Sequence, residues 1–223
     1  MITDLRKLAK LAYRRAGRVQ KTLAGARPFI CPFARLVRHV PQNASILDIG
    51  CGSGFFVNLL AYQKRIRSAI GIDSQLSAIK IARLAATEIH AEADVVFEHR
   101  LVENGLPEGP FDIVSMIDVL HHMDPGQQRR AIEDAVSRVA PGGLFVFKDI
   151  GIRPRWRATA NRLHDLIVAR QWINYVPISQ VIGWVAVAGL QLILQEDVSM
   201  LWYGHELAIF GLASGRAEKE PSP

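Results

Sequence analysis

Along most of this chain, short apolar runs alternate with longer stripes of evenly spaced apolar residues. Ile46 to Ile49, Ser68 to Asp73 (SAIGID), Val95 to Phe97, Phe111 to Ile117 (FDIVSMI) and Leu144 to Ile150 (LFVFKDI) are the runs, of strand length and rich in β-branched and aromatic residues. Between them apolar residues return every three or four positions: Phe55, Phe56, Leu59 and Leu60, then Leu76, Ile79, Ala82, Ala86 and Ile89, then Ile132, Ala135, Val136 and Val139. That spacing puts each set on one helix face. Asp124-Pro125 offers an N-cap and a first-turn proline to the third helix, and Ala140-Pro141-Gly142-Gly143 stops it. Near-continuous apolar strands alternating with one-faced helices predict a parallel sheet covered on both sides, an α/β domain.

The two ends depart from this rhythm. Ile2, Leu5, Leu8, Ala12, Ala16, Val19 and Leu23 recur at helical spacing with basic residues on the other faces, so residues 1–40 read as a basic amphipathic arm of cap helices. Such an arm fits a cap packed on the domain, an interfacial helix drawn to anionic lipid or an acidic partner, a targeting peptide, or a nucleic-acid contact. After Ile150 the pattern breaks for residues 151–178, a stretch holding Trp156, Asn161, His164, Asp165, Trp172 and Tyr175. A helix over Ile178, Val181, Ile182 and Val185 then ends at Gly189, and strands follow at about Leu190 to Glu196 and Tyr203 to Phe210. The domain is expected over residues 41–213 and a polar, disordered tail over 214–223.

Composition narrows the class. The 223 residues are 49% hydrophobic and 22% charged, the balance of a soluble globular domain. Val181 to Leu194, the longest apolar run, is too short to span a bilayer. Two cysteines, Cys31 and Cys51, make no disulfide framework and fit no metal spacing, which points to a reducing, cytoplasmic compartment. Charge is lopsided. Eight basic residues face one acid up to Ile30, whereas residues 31 to 223 carry nineteen basic against twenty acidic. The body is neutral and the arm basic, so peripheral membrane contact through residues 1–30 is one partner reading.

The chemistry begins at ILDIGCGSGFF, Ile46 to Phe56. A dinucleotide fingerprint requires a glycine where Phe55 stands, and a phosphate loop requires Gly-Lys-Ser/Thr, which is absent. Gly50, Gly52 and Gly54 let main chain approach a ligand without forming a phosphate cradle. Asp48, just before them, would repel a pyrophosphate and suits a ligand bearing an ammonium group. Asp73, ending the second strand, suits a ribose diol. A ribose, a cationic end and no phosphate together describe S-adenosylmethionine.

These residues resemble the class I, Rossmann-like methyltransferases, in four segments taken in order. LDIGCGSG at 47–54 is similar to the family's glycine motif, GID at 71–73 to its ribose-binding acid, FDIVSMIDVLHHM at 111–123 to its fourth-strand segment, and APGGLFVF at 140–147 to the motif entering the fifth strand. The resemblance implies a seven-stranded, mostly parallel, doubly wound sheet of order 3-2-1-4-5-7-6 with strand 7 antiparallel. It also implies cofactor contacts from Asp48, Gly50, Gly52, Gly54, Asp73, Ser74 and Ile117. Relatives often carry an acid after the third strand for the adenine amine. Here the stretch is HRLVE, 99 to 103, which places Leu101 or Val102 at that position, or leaves Glu103 to reach in.

The acceptor is less constrained, since a sulfonium is already activated and the protein must mainly align a nucleophile with it. The Pro-Pro-aromatic motif of DNA amino-methylases is absent, which excludes DNA. Adjacent histidines, His121 and His122, point in different directions on a helix, which argues against a shared metal. The resemblance places the acceptor site in 151–178, with His164, His122 and Asp149 as candidate proton-handling residues. Aromatic residues there and the basic arm point to a small lipophilic or aromatic acceptor methylated on oxygen or carbon. Alternatives are an RNA or protein methyltransferase using the arm, and a cofactor-binding subunit without catalysis.

Overall fold

The computed structural model describes residues 2–89, 92–151, 174–200 and 203–212. The expected tail and most of the expected acceptor segment, including Trp156, His164 and Trp172, lie outside these residues. The chain forms helices α1 (Ile2–Ala12), α2 (Arg18–Ile30) and α3 (Phe33–Leu36), then strand β1 (Ala44–Ile49), α4 (Phe55–Tyr62), β2 (Ile66–Asp73), α5 (Leu76–Ile89) and β3 (Asp94–His99). It continues through β4 (Phe111–Ile117), α6 (Pro125–Val136), β5 (Val139–Ile150), α7 (Ile178–Val187), β6 (Gln191–Met200) and β7 (Tyr203–Gly211).

The seven strands form one sheet in the order β3-β2-β1-β4-β5-β7-β6. The first five are parallel, and β7 runs antiparallel to both β5 and β6. This is the doubly wound methyltransferase sheet that the motif order implies. Period-two alternation divides the core. Ile46, Ile113, Val146 and Ile209 join one apolar cluster with Phe55, Ile79 and Ala82. Leu47, Val114, Phe145 and Phe210 join the other with Ile132 and Val181. Each fully buried Leu, Ile or Phe contributes about 1.5–3 kcal/mol, so both faces must be covered for the sheet to stand.

Local signals explain the boundaries. The Asp124 side chain accepts from the Gly126 N–H at 2.8 Å, with Pro125 in the first turn, as the helix start predicts. The fifth strand begins earlier than expected, at Val139. Its pairing with β4 slips between Phe111 and Ile113, so Ala140 to Gly143 is accommodated as a bulge rather than a break. The single apolar stripe of the arm is in fact two helices, separated by a turn that ends at Gly17, the N-cap of α2.

The arm is built into the domain. Leu5, Leu8, Ala9, Ala12 and Tyr13 of the arm are buried in the cluster that holds α4 and α5. Tyr13 stacks toward Phe55 and donates its hydroxyl to the Ser53 carbonyl at 3.0 Å. Burial pushes that phenol up to about 12. Arg14 and Arg15 both pair with Glu88, a buried acid on α5. The apolar side of α1 is therefore spent on the core, and only its cationic side is left outward.

Candidate active site

β1, β2 and β4 end side by side, and their loops open a cleft at the carboxyl edge of the sheet, where doubly wound folds bind ligands. Gly50, Gly52 and Gly54 all adopt positive φ, so the chain turns sharply from β1 into α4. At Gly50 a Cβ would lie 2.3 Å from a Val119 methyl, so glycine is required for the close approach of the β4 loop. Gly54 faces the other way. A Cβ there would lie 2.7 Å from Phe97 and 2.9 Å from Ala82, so Gly54 lets α4 pack closely against α5 and β3.

Asp73 joins the two loops. Its carboxylate accepts the Gly52 N–H and the Gln75 N–H, each at 2.8 Å. Two oxygens offer about four acceptor directions, so a diol can still be bound. Around Asp73 lies a cavity of about 290 Å³ lined by Gly50, Ser74, Leu101, Val102 and His122 among others. The expected nucleoside residues Asp73, Ser74, Leu101 and Val102 thus meet in one place, together with Glu103.

Gly50 also borders a second recess, of about 10 Å³, shared with Arg27, Phe33, Asp48, Phe56 and Ile117. That volume is room for roughly one water. Register accounts for Asp48: it lies opposite Ser115 on β4, whose hydroxyl donates to it at 2.6 Å. Burial raises the Asp48 carboxyl to about 7, against the opposing pull of the Ser115 hydrogen bond and the Arg27 charge.

Arg27 carries no sequence signal that separates it from the arm's other basic residues. It reaches across from α2 to Asp118, 3.4 Å away, and its guanidinium lies over Gly52. Asp118 has φ +57, a left-handed backbone that Asp tolerates better than most residues, and its N–H donates to the Lys148 carbonyl. Lys148, wholly buried, donates its ammonium to the same carboxylate. Burial would raise Asp118, but Lys148 and Arg27 outweigh it and hold the carboxyl far below the usual range.

Among the described residues Asp149, a candidate partner of His164, meets His121, whose Nδ1 and backbone N–H both contact the carboxylate. The turn Leu120–His122 sends His121 inward, where its ring stacks near Tyr175, and leaves His122 exposed at the cleft. Burial pulls the His121 imidazole down, but the charge and hydrogen bond of Asp149 reverse this, so its pKa is raised. His164 lies outside the described residues. Among the described residues no cluster of three His, Cys, Asp or Glu side chains could hold a metal ion.

Bare main chain at Gly50, the Asp73 carboxylate on one side and a carboxylate and guanidinium on the other suit a nucleoside carrying an amino-acid tail. Fold and site together define a class I, S-adenosylmethionine-dependent methyltransferase. The chain belongs to the methyltransferase-domain family, whose model matches residues 20–195. It is 29% identical over 212 residues to a ubiquinone biosynthesis O-methyltransferase of Xanthomonas axonopodis pv. citri (strain 306), covering 90% of this chain and 84% of that one. A relative of the same name from Xylella fastidiosa (strain 9a5c) is 30% identical over 183 residues, covering 74% and 68%. Two further relatives of that name are matched over only 65% and 44% of their own length. Among solved structures, N-methyltransferase NodS from Bradyrhizobium japonicum WM9 in complex with S-adenosyl-L-homocysteine shares the fold, with TM-score 0.62, 20% identity and coverage of 92% and 96%.

Proposed function

We propose that this methyltransferase moves the sulfonium methyl to an oxygen of a small lipophilic or aromatic acceptor. The observation that carries the cofactor half is the placement of Asp48 and Arg27 across Gly50 from Asp73. Asp73 would accept from the ribose hydroxyls and Asp48 would meet the cofactor's ammonium. Arg27 would leave Asp118 for the carboxylate, which the small recess demands. When bound, the cofactor supplies an activated methyl, and the protein's task is alignment. The acceptor half is supported by the relatives, which are O-methyltransferases of ubiquinone biosynthesis.

A hydroxyl acceptor needs its proton removed. His122, at the cleft, is the described candidate. Asp149 acts through His121 as a positioning residue, since its oxygens are taken by His121 and by the Ile150 N–H. Residues 1–30 would bring the enzyme to a membrane surface, where such acceptors dissolve, through the cationic side of α1 and α2. No helix among the described residues is long and apolar enough to cross a membrane. Methyl transfer from S-adenosylmethionine to a lipophilic phenol, measured beside transfer to water-soluble amines, tests the reading. Turnover confined to the amines, with no binding to liposomes, would refute it.

A further inference from the structure

α2 has two working faces. Arg27 points from one into the cleft, while Lys21, Gly25 and Phe29, spaced four apart, share the opposite face. That second face and the outer side of α1 enclose a groove of about 710 Å³, far larger than the methionine recess and within the range of small-molecule sites. Its floor is Ala9, Gly25 and Phe29, and its rim carries Arg6, Lys10, Arg14 and Lys21.

The groove is held in shape. Arg14 is tied to buried Glu88, which fixes α1 on α5, and the Arg6 guanidinium sits 4.5 Å from the Phe29 ring centroid. Lys10 and Lys21 make no ion pair among the described residues and are exposed at the rim. Gly25 has nothing within 4 Å of where a Cβ would lie, so the middle of the groove is open. No acid lines it. Two unengaged ammonium groups above an apolar, aromatic floor match one ligand chemistry: a phosphate ester joined to an apolar chain. Phosphate takes Lys10 and Lys21 as point charges, and the chain lies on Phe29 and Gly25.

We propose that the groove between α1 and α2 is a binding site for phosphate-ester amphiphiles, separate from the cofactor cleft. It deepens the peripheral-contact reading given above, because the ester can be presented by a bilayer or by a dissolved molecule. The test uses the full chain, with phosphatidylglycerol vesicles, phosphatidylcholine vesicles and a short-chain phosphatidic acid below its micellar concentration. Wild type is expected to bind the first or the third saturably, and which of the two is bound names the source. Lys10→Glu with Lys21→Glu should weaken that binding by about tenfold or more, since each cation near an anionic surface contributes to it. Gly25→Leu, which leaves every charge and fills the open centre, should weaken it too; generic attraction to the basic arm would be unmoved by it. Unchanged binding in both variants, or none by wild type on any arm, overturns the proposal. Affinity for S-adenosylhomocysteine, measured on the same samples, should stay at the wild-type value in all of them, so failure of the groove and failure of the cofactor reading give different results.

Discussion

The half of the cleft proposed for the nucleoside and the half proposed for the methionine are built in opposite ways. The nucleoside half is open and made of residues that sit in the motifs: Gly50, Asp73 and Ser74, with Leu101 and Val102 from the next loop. The methionine half is nearly closed, and beside Asp48 its charge comes from a distant part of the chain, Arg27 of the arm, which pairs with Asp118 at the wall of the open half and through it with Lys148 on β5. A half made of neighbouring residues needs only the local turn to form. A half made of residues so far apart depends on the arm being docked, so the arm becomes part of the catalytic domain rather than an appendage.

The largest effect should come from Asp118, which ties Arg27 of the closed half to the buried Lys148. Replacing it with Ala leaves the Lys148 ammonium buried without its carboxylate, at a cost of about 3–5 kcal/mol. Thermal or urea unfolding of Asp118→Ala reads this directly. A variant as stable as wild type would mean that Lys148 is not held by this pair. Adding Lys148→Met to Asp118→Ala should recover much of the loss, since an apolar pair of similar bulk has no charge to strand.

Asp73→Ala comes next and strikes the nucleoside half. It removes the acceptor for the Gly52 and Gln75 amides as well as for a ribose, and charged hydrogen bonds contribute about 1.5–3 kcal/mol each. Calorimetry should show adenosine and S-adenosylhomocysteine both weakened, by about 100-fold or more for two such bonds. Equal affinity in the variant would remove the ribose assignment. Arg27→Met sharpens the contrast. It should weaken S-adenosylhomocysteine by about tenfold, for one exposed-edge charge contact, and leave adenosine unchanged. A variant that loses adenosine equally would show that Arg27 shapes both halves.

What could be read from the sequence follows the same division. The glycine turn and the Asp124-Pro125 helix start were legible because each depends on neighbours within a few residues, and the sheet order because four motifs in sequence resemble those of a known family. Arg27 was not, because eight basic residues crowd the arm and only docking on α4 and α5 decides which one faces the cleft. His121 was passed over for His122 for a related reason. Adjacent residues in a turn point apart, and nothing local says which one finds Asp149. The spacing of Gly54 in the motif gives no sign that Phe97 and Ala82 crowd the place of its Cβ. Period and spacing give which residues lie close along the chain; the side each one faces comes from packing between elements.

The smallest effect, and the most diagnostic of the methionine half, is a pH dependence. Asp48 has its carboxyl raised to about 7 by burial, so near neutrality a fraction of the enzyme is protonated there. The ligand's ammonium attracts the ionised carboxylate and not the acid. Binding must then drive off a proton wherever Asp48 still holds one. Affinity for S-adenosylhomocysteine should be level above pH 7 and fall as pH drops below it, by about tenfold per unit, equivalent to 1.4 kcal/mol. Adenosine has no ammonium and should show no such slope. Asp48→Asn should bind S-adenosylhomocysteine more weakly at pH 8 and lose the slope altogether. Titrations of both ligands at several pH values in two buffers of different ionisation enthalpy would also count the released proton. A flat profile for the wild type would mean that the ammonium lies elsewhere, and that Asp48 serves β1 and Ser115 alone.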